Sequence, residues 1–192
     1  MTKITDLIDR WNTKEGKPYK GSLIDKGNYE EGNLSCMCAQ GQVLHVVGAW
    51  SADRLADAEQ AEADQATAKL LNISRAHAVL LRNVNDKVDG APAIVLTDPG
   101  AVLGDQWGKL LDFWWHMDSL DAGEWKKVAA ARDAAWVVAG GAARDAARGA
   151  AWEIQGAEIL KRDGKPLFFL PMFGFASPDD IPARPADYGV VA

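Results

Sequence analysis

The stretch Val128-Ala129-Ala130-Ala131-Arg132-Asp133-Ala134-Ala135-Trp136, echoed by Ala142-Ala143-Arg144-Asp145-Ala146-Ala147-Arg148 and followed by Trp152, decides the fold class. Alanine loses no side-chain entropy in a helix and lets a neighbouring backbone approach closely, so this text predicts a close-packed helix. Read from Glu124 to about Arg162, it would make a rod of about 58 Å at about 1.5 Å per residue. Gly140-Gly141 is the natural bend or break, because glycine costs about 1 kcal/mol against alanine in a helix interior. The Ala-Ala-Arg-Asp unit recurs 12 residues on, from Ala130 to Ala142, which turns it by about 120° around a helix. The copies therefore do not share a face.

Within that text Arg132 precedes Trp136, and Arg148 precedes Trp152, by four residues. At this spacing a guanidinium reaches an indole face. Arg144, Arg148 and Trp152 form one stripe, with two readings. The pairs either stiffen a helix whose alanine face is buried, or they open onto a groove that stacks a base or clamps a phosphate. On the second reading the ligand-binding residues are Arg132, Trp136, Arg144, Arg148 and Trp152. The eight tryptophans of the chain fit core packing better than ligand stacking, and adjacent Trp114-Trp115 must diverge on a helix.

At the N-terminus Ile4, Leu7, Ile8 and Trp11 give a short amphipathic helix, and residues 12–33 have loop composition. Ser35 is a candidate cap for a second helix to about Val47, weakened in the middle by Gly41. Ser51 and Asp53 open a third helix through about Leu71, with its apolar stripe interrupted at Glu59-Gln60. Behind Ser74 as a cap, Ala76, Val79, Leu80 and Val84 read as a helix; Val79-Leu80-Leu81 also suits a buried strand, but the cap and the lack of alternation favour helix, ended by a turn from Asn85 to Gly90. Ala93-Ile94-Val95-Leu96 reads as a short strand or an extended connector. Trp107, Leu110, Leu111, Trp114 and Trp115 mark a strongly apolar helix within residues 104–120. After Gly164 the prolines forbid a regular helix. The apolar run from Leu167 to Phe175 then wraps the helices as a strap or offers Phe168, Phe169, Phe173 and Phe175 to a partner.

The expectation is a mainly α, single-domain helical bundle. It has N-terminal helices and connectors over 1–120, an alanine-rich segment over 121–163 and an extended tail over 164–192. A length of 192 residues with 48% hydrophobic content fits one core. Net charge is -6, with 21 basic against 27 acidic residues, which argues against general nucleic-acid binding. No run reaches the length of an apolar membrane span and the N-terminus has no secretory pattern, so a cytoplasmic protein is expected. Cys36 and Cys38 are too close for an unstrained disulfide, consistent with a reducing compartment.

For chemistry, Cys38, His77 and Asn83 or Asn85 follow the order Cys, His, Asn of papain-like thiol hydrolases, and His77-Ala78-Val79 looks like the text around their histidine. The tryptophan-bearing pattern expected after such a nucleophile is missing. A metal would have to come from Cys36, Cys38, His45, His77 and His116, which lack metal-site spacing, and the two cysteines would face about 200° apart on a helix. No metal and no cofactor is expected, and no catalytic residue is assigned beyond that runner-up set.

The Ala-Ala-Arg-Asp-Ala-Ala-Trp phrasing at 130–136, with the ending Gly164-Lys165-Pro166-Leu167-Phe168-Phe169-Leu170-Pro171, resembles alanine- and tryptophan-rich uncharacterised proteins of bacteriophages and actinobacteria. The front half also looks like a small actinomycete domain that opens with Cys-x-x-Gly, here Cys38 to Gly41, and later carries Trp-Asn-Asp before a glycine. Here that motif is Val84-Asn85-Asp86 with Gly90, and Val84 replaces the tryptophan. The first resemblance implies a phage-type accessory protein. The functional expectation is thus a non-enzymatic accessory binder of a host protein or a small nucleotide-like ligand, with action against host defence as one such role. The alternatives are a structural or assembly component and a thiol hydrolase. A homo-oligomer is compatible with each.

Overall fold

The computed structural model describes residues 3–14, 17–87, 92–138, 167 and 170–189, with the backbone alone for 87, 131–138 and 172. The protein is mainly helical, and among the described residues there is no strand, only an isolated antiparallel bridge between Ile24 and Met37. The chain divides into two compact units, Met1–Pro99 with Asp187–Ala192, and Gly100–Ala186.

In the first unit, α1 (Lys3–Thr13) buries Ile4, Leu7 and Trp11 at helical spacing. The loop after it is held to the chain ahead of α2 (Ala39–Val46) by backbone bonds Tyr19 N–H to Met37 O (2.8 Å), Asp25 N–H to Cys36 O (2.7 Å) and Cys38 N–H to Leu23 O (3.2 Å). The second helix starts later than Ser35 suggests. Ser35 lies in a 3-10 turn, Leu34–Cys36, and the cap is Cys38, whose Sγ accepts from Gly41 N–H at 3.4 Å.

Helix α2 is the hub of this unit. It packs on α1, on α3 (Ala52–Asp57), on α4 (Gln60–Leu71) and on α5 (Arg75–Lys87). Ala39 to Leu44 are consequently all buried, and Gly41 is the point of closest approach: a Cβ there would lie 2.1 Å from the Leu23 carbonyl oxygen. The glycine that weakens the helix by propensity is what admits the loop backbone.

Two other expectations are corrected. The single helix from Ser51 to Leu71 is two helices, because Ala58 and Glu59 are extended (ψ 136° and 145°), breaking it where the apolar stripe lapses. Residues Pro92–Thr97 form helix α6 rather than a strand or connector. Proline at the first helical position has its φ already set, and the turn closes through Asp98 N–H to Ile94 O (2.8 Å) and Thr97 Oγ1 to Ala93 O (3.0 Å). Helix α4 ends at Asn72, which takes the left-handed conformation (φ 49°) that asparagine tolerates.

The second unit contains α7 (Gly100–Leu103), α8 (Trp107–Ser119) and α9 (Ala122–Val138). Leu110, Leu111, Phe113, Trp114 and Met117 are buried along α8, while Trp115 is half-buried, so the adjacent tryptophans diverge. The alanine-rich helix opens on a reciprocal cap. Asp121 Oδ1 accepts from Gly123 N–H and Glu124 N–H (2.7 and 2.8 Å), and Glu124 Oε2 accepts from Asp121 N–H (2.8 Å). Its course past Val138, with Gly140-Gly141, lies outside the described residues. In the tail, Leu170–Phe173 and Pro178–Asp180 are 3-10 turns. Arg184 is held by Asp112 and by the Gly108 carbonyl (2.8 Å).

Candidate functional site

Cys38, His77 and Asn85 are all in the first unit, and each is committed to the fold. Cys38 has no exposed surface; burial pushes its thiol from the ordinary 9.0 up to about 11, against the smaller lowering by the Gly41 and Gln40 amides. A thiol nucleophile needs the opposite shift. His77 is buried on α5, with Nε2 2.8 Å from the Val95 carbonyl and Nδ1 2.8 Å from the Tyr188 hydroxyl. A carbonyl only accepts, so Nε2 carries the proton and Nδ1 accepts from Tyr188. Asn85 Nδ2 donates to Tyr19 O (2.8 Å) and Asp86 Oδ1 (3.2 Å), tying α5 to the first loop. The bonds shown for the thiol and the imidazole are thus Gly41 N–H to Cys38 Sγ and the contacts of His77 with Val95 and Tyr188.

The Cys38 shift makes a testable stability statement. The unfolded thiol ionises first, so the folded state keeps its proton between pH 9 and about 11. The contribution is whole below 9 and is lost as pH rises through the folded value, amounting to about 2–3 kcal/mol at about 1.4 kcal/mol per pKa unit. Urea midpoints at pH 8, 9.5 and 11 are expected to fall more steeply for the wild type than for Cys38→Ser, which retains a capping oxygen and does not titrate there.

The polar groups that sequence reading missed form a seam between α2, α4 and α5. Gln40 Nε2 donates to Asp64 Oδ1 (2.8 Å) and to Ala78 O (2.9 Å). Gln60 Nε2 donates to Gln40 Oε1 (2.9 Å) and Asp64 Oδ1 (3.0 Å), and Arg82 approaches Asp64 Oδ2 at 3.5 Å. Gln40 has no exposed surface and Asp64 is 7% exposed, so the bonds offset a desolvation cost that water would otherwise meet. Thr67 Oγ1 and Arg82 Nε are buried without a hydrogen-bond partner. Gln42, also buried, accepts from Trp11 Nε1 (2.7 Å) and donates to Leu34 O (2.8 Å) and Met37 O (3.2 Å), joining α1, α2 and the loop. The available signal was Gln40 and Gln42 standing in an otherwise apolar helix.

Of the proposed ligand-binding residues, Arg132 and Trp136 lie on α9, where the backbone alone is described; Arg144, Arg148 and Trp152 lie outside the described residues, as do Phe168 and Phe169. Of the described remainder of the apolar tail, Phe173 is buried and Phe175 half-buried. Leu167 and Leu170 are buried as well, and Phe173 meets Phe113 edge-on at 5.1 Å, with Phe175 at 6.3 Å from the same ring. Phe173 and Phe175 thus meet a ring of α8. An Arg-on-Trp stack does occur elsewhere: Arg54 lies 3.7 Å over the Trp50 ring, paired to Glu62 at 3.1 Å, with 54% of its side chain exposed. Among the described residues no three His, Cys, Asp or Glu side chains are grouped to hold a metal ion, and no helix is long and apolar enough to cross a membrane. His45 instead bonds Trp50 O through Nδ1 at 2.7 Å, and His116 meets Phe175 edge-on at 5.5 Å. Comparison with protein families, curated proteins and solved structures yields no match.

Proposed function

We propose that the protein acts by binding and not by thiol catalysis. The observation that carries this reading is Cys38: a fully buried helix cap whose thiol is pushed up to about 11, beside a His77 whose two ring nitrogens serve Val95 and Tyr188. The resemblance of the Ala-Ala-Arg-Asp-Ala-Ala-Trp text to bacteriophage proteins supports an accessory, anti-defence role in a host cytoplasm. The target is a small nucleotide-like ligand or a host protein, engaged by Arg132, Trp136, Arg144, Arg148 and Trp152. The Trp50 and Arg54 stack, four residues apart in the opposite order and with Trp50 ahead of α3, supports an Arg-over-indole platform as a device this chain uses. In that arrangement the outer guanidinium face takes an anion or a base, and the indole keeps the guanidinium flat.

Melting curves with a panel of linear and cyclic nucleotides test the reading. A ligand at about 100 times its dissociation constant stabilises by about 2.7 kcal/mol, so a binder gives a shift of several degrees that Arg148→Ala and Trp152→Ala abolish. A shift unaffected by those substitutions would remove the proposed site. Hydrolysis lost in Cys38→Ala would remove the binding reading altogether.

A further inference from the structure

Past the turn Pro178–Asp180 the chain continues as Ile181-Pro182-Ala183-Arg184-Pro185-Ala186, and residues 182–185 are neither helix, strand nor turn. Each proline ring fixes its own φ at about −65° and steers the residue ahead of it, here Ile181 and Arg184, towards extended backbone. Ile181 has φ −73° and ψ 125°, close to the polyproline II values of about −75° and about 145°. That helix has about three residues per turn and no internal hydrogen bonds. The Arg184 amide accordingly bonds outside the segment, to Asp112 Oδ1 at 3.3 Å.

Burial along the segment follows the same period. Ile181 is buried and Arg184 half-buried, whereas Pro182 with Pro185, and Ala183 with Ala186, are exposed. One edge of the helix therefore faces the protein and two face water. The inward edge is anchored at Arg184: its guanidinium pairs with Asp112, donates to the Gly108 carbonyl one turn earlier on α8 (2.8 Å), and lies 5.7 Å over the Trp107 ring. Segment and anchor belong to the second unit. The arginine charge is thus met within the fold, while Asp180 and Asp187, which flank the segment in sequence, are exposed carboxylates.

We infer that Pro182–Ala186 is a docking ridge for a partner protein whose groove is lined with aromatic rings and rimmed with basic groups. Pro182 and Pro185 stand on one edge, about 9 Å apart at about 3.1 Å per residue. Aromatic-lined grooves read this spacing, each proline ring seating between aromatic side chains, and the methyl-sized Ala183 and Ala186 leave the approach open. A free proline-rich tail would have to be ordered on binding; Arg184 holds this one in the bound shape beforehand. The exposed carboxylates at its ends select a basic rim over an acidic one. The inference rests neither on a nucleotide-like ligand nor on the Arg and Trp residues proposed for it.

NMR titration of the full-length protein with purified SH3 and WW domains, each made with a basic and with an acidic groove rim, tests it. A basic-rimmed domain is expected to shift the amides of Ala183, Arg184 and Ala186 at submillimolar concentration and to leave Leu81 of the first unit unmoved. Its acidic-rimmed form is expected to bind at least about tenfold more weakly, and excess decaproline to displace the protein from either. Replacing both rings, Pro182→Ala with Pro185→Ala, is expected to weaken binding at least about tenfold at an unchanged melting temperature. No shift with any of the domains at about 1 mM, or binding that the double substitution leaves intact, would overturn the ridge. So would a double variant that no longer folds, because the prolines would then be packing groups. Tighter binding to the acidic rims would overturn the choice of partner.

Discussion

Gly41→Ala is expected to unfold the first unit or to cost it more than about 3 kcal/mol, the upper range for forced overpacking. The reason is the nature of the obstacle. The added Cβ would stand 2.1 Å from the Leu23 carbonyl oxygen and 3.1 Å from its carbon, and these are backbone atoms with no rotamer in which to escape. Leu23 is in turn fixed by the bond its oxygen accepts from Cys38 N–H, so the loop cannot retreat without losing the start of α2. Gly108→Ala is the control. It is a helical glycine with open space around the added carbon, and there the gain in helix propensity should stabilise by up to about 0.5–1 kcal/mol. Urea denaturation followed by circular dichroism should show opposite signs for the same chemical change. Equal effects at both positions would refute the close approach at Gly41.

The second large effect is expected at Asp64. Its carboxylate accepts from Gln40 and Gln60 and faces Arg82, and its side chain is only 10% exposed. Asp64→Ala removes the acceptor and strands three donors at the junction of α2, α4 and α5. Breaking one partner of a buried pair costs about 3–5 kcal/mol, and the partial exposure of Arg82, 24% of its side chain, moves the expected value below that range, to about 2–3 kcal/mol. Replacing both charges, Asp64→Leu with Arg82→Met, should recover much of the loss, because the stranded charge and not the missing attraction carries most of the cost. A double-mutant cycle on urea midpoints reads this directly. Additive losses would mean that the two side chains do not work as a pair.

Much of the helical framework was legible, and the exceptions have physical causes. Helices α1 and α8 announced themselves by apolar residues three and four apart, and α5 was favoured over a buried strand by its cap and lack of alternation; the structure places Leu7, Trp11, Leu80, Leu81, Leu111 and Trp114 inside. Helix α6 was misread because Ile94-Val95-Leu96 is too short for any period to show, and the decisive marks were Pro92 at its start and Thr97 bonding back to Ala93. The start of α2 was misplaced because Ser35 is the commoner cap and Cys38 the actual one. A cysteine that looked like a nucleophile was a capping residue.

Burial inverted the reading of polar side chains. Gln40 and Gln42 carry no periodic signal of their own, and only the packing of α2 against four helices makes them interior groups in need of partners. The Tyr188 contact with Ser74 and His77 joins positions more than 110 residues apart, beyond the reach of any local pattern. Phe173 looked like part of a surface for a partner because a proline-rich tail has no period from which to infer a covering element. That cover is Phe113.

Whether Cys38 is a buried cap or a nucleophile can be read from its reactivity. Alkylation of the native protein, followed by peptide mass at Cys38 from pH 6 to 11 under conditions short of unfolding, is expected to show slow reaction throughout and no thiolate wave below pH 9, in keeping with a thiol pushed up to about 11. A wave near neutral pH that disappears in His77→Ala would contradict the account, for it would mean a thiol and an imidazole working together.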